Sequence, residues 1–139
     1  MARTFIGIVF ALFGFILFFT MIGAQWGLFV HISEIVGVLI ISIALLIATV
    51  GIKAFIKALN CVAGLRLAED SDRAVLKRWI TATYGAGLVV FLAGIISTLS
   101  VIDQGTMVLA YKTAAAISSL LIAGIVSEFF LRTALSRTS

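Results

Sequence analysis

Proline is absent from these 139 residues, cysteine and histidine each occur once, and charged residues make up only 12%. Each scarcity removes a class of function. Without proline, nothing announces the broken helices on which many transporters build a midplane site. A lone Cys61 cannot close a disulfide within the chain, and it reads as a buried, inert thiol rather than a redox centre. His31 and Cys61 together are too few for a His/Cys metal cluster in one copy, so no metal site is expected. No carboxylate pair, nucleophile–base set or phosphate-binding loop stands out. The chain is therefore not expected to be an enzyme, and no cofactor site is assigned.

A water-soluble domain needs roughly a quarter of its residues charged. Here 63% of the residues are hydrophobic, and long runs carry no charge at all. The composition is that of an all-α, polytopic integral membrane protein. Four spans are expected in a single domain over residues 1–139, at about 5–24, 34–58, 79–100 and 107–131. The first run is longer than the ~7–15 residues of a signal-peptide core, which predicts an uncleaved span. It holds Phe5, Phe10, Phe13, Phe15, Phe18 and Phe19, more than half of the Phe in the chain, and so is suited to face lipid. Trp26 follows at the outer interface, where an indole ring prefers to lie, and His31 reads as interfacial too. Ser33 with Glu34 is a good cap for the second span, in which Ala44 and Ala48 form a small-xxx-small pair. With Lys53 and Lys57 snorkelling, that helix is expected to run on without a break to Cys61 or beyond. Gly64 and the acidic run 68–72 then make a turn, Asp70 or Ser71 caps the next helix, and a short cytoplasmic helical hairpin results.

Nine of the ten Lys and Arg lie at Arg3, between Lys53 and Arg78, and at Arg132 and Arg137. The outer loops, 25–33 and 100–106, have none. By the positive-inside rule both termini and the central loop are cytoplasmic, as in a bacterial inner membrane. Charges spread along a lipid boundary do not make a groove for nucleic acid, so no nucleic-acid partner is expected.

The last span is the most informative. Ala115, Ser119, Ala123 and Ser127 fall four apart and form one narrow ridge of small side chains. The third span matches it with Gly87 and Gly94 among other small residues. Ridges of this kind let helix backbones approach in lipid, so these six residues are the expected helix-packing interface. Lys112 and Glu128 are the ionisable groups placed inside the bilayer. Lys112 is expected to reach the headgroups, and Glu128 to pair with Arg132 four residues on. With Ser118 and Ser119 they are the candidates for an ion path.

This layout resembles the MotA/TolQ/ExbB proton-channel family, in particular the flagellar stator A-subunit. The residues that carry the resemblance are GLFVHISEIVGVLIISIALL (27–46), the segment 87–99 with an outer Asp103, and AAISSLLIAG (115–124). Ser118 and Ser119 stand where the family carries paired Thr. The resemblance implies a ring of A-type subunits around single-span partner helices that supply the ion-carrying Asp. Three departures accompany it. The large cytoplasmic domain is missing, the family's Gly-Thr pair falls on Val90 and Phe91, and Lys112 adds a cation near the mouth. Three functions remain in view: a stator-like assembly subunit that contributes to an ion path, a noncatalytic accessory subunit of a larger membrane complex, and a small transporter. The first two expect a homo-oligomer or a membrane complex, embedded in the lipid bilayer.

Overall fold

A computed structural model describes residues 13–14, 16–17 and 32–137. The expected first span and the loop with Trp26 and His31 lie outside the described residues, apart from Phe13, Gly14, Ile16 and Leu17. Among the described residues helix dominates and there is no strand. Helix α1 is Ile32–Val50, α2 is Ile52–Val62 and α3 is Asp70–Leu99. A 3-10 turn, Ile102–Gln104, leads into α4, Thr106–Ile125. A π-helical stretch, Val126–Leu131, then joins α4 to α5, Arg132–Ser136. Three stretches are long and apolar enough to cross a membrane: Ile32–Val50, Asp70–Leu99 and Thr106–Ser136.

The register follows from close approaches. Gly87 faces Ala123 and Ser119, whereas Gly94 faces Ala116, so α3 and α4 run antiparallel. Gly37 of α1 faces Val90, while Leu45 and Thr49 share a groove with Lys77 to Ala82, so α1 and α3 are antiparallel too. Val38, Ala86 and Ala123 fill the middle of the three-helix unit. A second core closes one end, where Leu46, Cys61, Leu76, Trp79 and Leu131 are buried together. There the Phe55 ring meets Trp79 edge-on at 5.3 Å, and the Ala68 N–H donates to the Arg137 carbonyl at 3.3 Å. At ~1.5 Å per residue α3 is about 45 Å long, more than the ~30 Å of a hydrocarbon core. Its first turns, which carry Asp70, Asp72, Arg73, Lys77 and Arg78, therefore extend past its apolar part.

Several local expectations are corrected. The helix after the second span does not run on unbroken: Gly51, at φ 83° and ψ 158°, ends α1 and starts α2. Its N–H still donates to Ile47 and its carbonyl accepts from Phe55, so the bend leaves no orphaned backbone at this residue. Ala44 and Ala48 are exposed, because Val38, Ser42 and Leu46 form the buried stripe of α1. Ser33 is no cap, since α1 already begins at Ile32, and its hydroxyl donates to Glu34 at 2.6 Å. The cap of α3 is Glu69 rather than Asp70 or Ser71, with the Asp72 carboxylate accepting from the Glu69 N–H at 3.0 Å. The last span is not α-helical throughout, for it widens into the π-helical stretch.

Candidate functional site: the seam between α3 and α4

Along the seam the side chains are as small as the sequence allows. A Cβ on Gly87 would sit 2.5 Å from the Ala123 Cβ, and one on Gly94 would sit 2.7 Å from the Ala116 Cβ. Neither distance is tolerable for carbon atoms, so the two backbones touch only because these positions are glycine. Ala115, Ser119, Ala123 and Ser127 are all buried. Of the six expected packing residues, Gly87 meets Ser119 and Ala123, Gly94 meets Ala116 instead of a ridge residue, and Ala115 and Ser127 are buried on α4 and its π-helical end.

The seam's hydroxyls turn back on backbone. Ser118 Oγ donates to the Ala115 carbonyl at 2.7 Å. Ser119 Oγ lies 2.7 Å from the Ala116 carbonyl and 3.2 Å from that of Gly87 across the seam, one proton between two acceptors. Thr83 and Thr98 of α3 donate to Trp79 and Gly94, one turn back on their own helix. Ser127 Oγ is buried with no hydrogen-bond partner.

The charged candidates sit at the two ends. Lys112 does not simply extend toward headgroups: its Nζ donates to Ser97 Oγ at 3.0 Å. A notch of about 340 Å³ surrounds that contact, lined by Glu34, Gly94, Ser97, Tyr111 and Lys112 among others. At the other end Glu128 pairs with Arg132 at 3.1 Å, as the four-residue spacing predicts. Glu128 also accepts from the Tyr84 hydroxyl at 2.8 Å. Of the four ion-path candidates only Ser118 and Ser119 are neighbours. Lys112 and Glu128 remain about 24 Å apart along the helix axis.

Sequence reasoning missed Tyr84, Ser97, Gly51 and the pairing of Arg66 with Asp72. Tyr84 and Glu128 are 44 residues apart, and only the antiparallel register set by Gly87 brings them together. Arg66 had a weaker signal, a lone cation just before an acidic run. The Cys61 thiol and the Asp72 carboxylate push its pKa further above the usual arginine value, so it stays charged.

Among the described residues, no group of three His, Cys, Asp or Glu is placed to hold a metal ion. Compared with family models, curated proteins and solved structures, the chain matches none. The class is set by the fold itself: a helical protein with three described helices fit to cross a membrane, the architecture of an integral membrane protein.

Proposed function

We propose that this chain is a noncatalytic assembly subunit of a membrane complex, with a stator-like arrangement of its helices. The observation that carries the reading is the α3–α4 seam. Two helices held backbone to backbone by Gly87 and Gly94, with hydroxyls engaged on carbonyls, make a rigid wall rather than a conduit. The outward faces are left apolar, with Leu88, Leu92 and Ile96 on α3 and Ile117 and Leu120 on α4 exposed. Such faces suit lipid or the helices of neighbouring subunits. In this reading the complex is a homo-oligomer or a ring around a single-span partner, and any ion path needs groups that another chain supplies. In this reading the chain lies in a bacterial inner membrane with both termini inside, which the distribution of Lys and Arg supports.

The test is native mass in lipid nanodiscs together with ion flux in liposomes. An oligomer or a stable complex is expected, with no flux from the chain alone. A monomer in every lipid, without a co-purifying partner, overturns the reading. Flux from the chain alone that falls in the Ser118→Ala, Ser119→Ala double variant would favour the second reading, a contribution to an ion path. That reading rests on the polar ends of the seam, Lys112 with Ser97 and Glu128 with Tyr84.

A further inference from the structure

Where α1 ends, a groove of about 500 Å³ opens between α1 and α3, lined by Leu45, Thr49, Lys77, Arg78, Thr81 and Ala82. Its walls are largely apolar, and its rim carries two adjacent cations with no carboxylate among the lining residues. Lys77 and Arg78 are both exposed, and neither takes part in an ion pair among the described residues. The nearby Arg66, Arg73 and Arg132 each have an acidic partner, and Lys53 and Lys57 of α2 line a separate depression together with Asp72, whereas the cations of this groove face no carboxylate in its lining. The two threonines do not compete for an anion. Thr49 Oγ1 donates to the Leu45 and Leu46 carbonyls at 3.0 Å, and Thr81 Oγ1 to that of Lys77 at 3.2 Å. Depth agrees as well. Lys77 and Arg78 stand immediately before the apolar part of α3, level with lipid headgroups when that part crosses the bilayer.

We propose that this groove holds an anionic phospholipid, its phosphate between Lys77 and Arg78 and the upper part of an acyl chain along Leu45 and Ala82. The arginine fork can grip two phosphate oxygens, while the lysine supplies a second positive charge. A zwitterionic lipid brings its own cation to a rim that is already doubly positive, and is disfavoured there. Selectivity for net negative headgroups follows from charge complementarity, and retention of a single molecule follows from the apolar walls.

The full chain in nanodiscs of phosphatidylglycerol and phosphatidylcholine, released for native mass spectrometry, tests this. One phosphatidylglycerol is expected to stay bound in preference to phosphatidylcholine. Each of Lys77→Gln and Arg78→Gln should lower that retention by about fivefold, the effect of one cation near an anionic headgroup. Thr81→Trp fills the groove from an exposed position with both charges kept, and should also release the lipid; it serves even where a charge variant fails to fold. Lys53→Gln with Lys57→Gln, on α2, should leave retention within twofold. Equal retention of both lipids, no retained lipid of either kind, retention unchanged by Thr81→Trp, or an equal loss in the α2 variant would each overturn the proposal.

Discussion

A glycine inside a helix costs conformational entropy, which packing must return, and the structure separates glycines that do this from those that do not. Gly87 and Gly94 lie where a Cβ would collide with Ala123 and Ala116, whereas a Cβ on Gly85 would meet nothing within 4 Å. Gly87→Ala and Gly94→Ala should each destabilise the protein by about 1–3 kcal/mol through overpacking. Gly85→Ala should be neutral or stabilise by up to ~1 kcal/mol. Denaturant unfolding in one detergent compares the three, and equal effects at Gly85 and Gly87 would argue against the register. The same register joins Tyr84 to Glu128. Both are more than a third exposed, so a Tyr84→Phe, Glu128→Gln double-mutant cycle should give a coupling below about 1 kcal/mol. A coupling near zero would mean that the hydrogen bond is not held in solution. The four-residue ridge on α4 was legible in the sequence. Its occupant was not, because small residues announce close approach without naming who approaches.

Gly51 and the π-helical stretch act on whole elements. With φ at 83° and ψ at 158°, Gly51 occupies an essentially glycine-only conformation that costs an L-residue about 1–3 kcal/mol, yet a Cβ there has free space. Gly51→Ala should therefore let α1 run straight into α2. Spin labels at the exposed positions Ile40 and Leu59 would then separate toward ~28 Å, the rise of a continuous helix. An unchanged distance would show that Phe55 packed on Trp79 holds the bend against the strain. That the chain stays helical past Lys53, Phe55 and Lys57 was readable. The bend was not, since a single glycine is tolerated in many helices. The widening at Val126–Leu131 has a geometric account. A four-residue repeat drifts about 40° per step around a 3.6-residue helix. A wider turn offsets that drift, and Ser127 and Leu131 are both buried, Leu131 within the end core.

For the molecule as a unit, the described helices form an up-and-down set with α3 in contact with both α1 and α4. The close α3–α4 seam underlies the expected outcome of the native-mass and flux measurements, a stable oligomer or complex that does not conduct alone. Chain chemistry was enough to place the protein in a bilayer. The transfer of apolar residues from water adds up along each run, whatever lies beside it, and Ile32–Val50, Asp70–Leu99 and Thr106–Ser136 carry that signal. Contacts between runs are of another kind. Glu128 meets Tyr84, Lys112 meets Ser97, and the ridge of α4 closes on α3, because two glycines admit one antiparallel register. Such a fit depends on shapes 15 to 44 residues apart meeting in space, which no local pattern along the chain encodes.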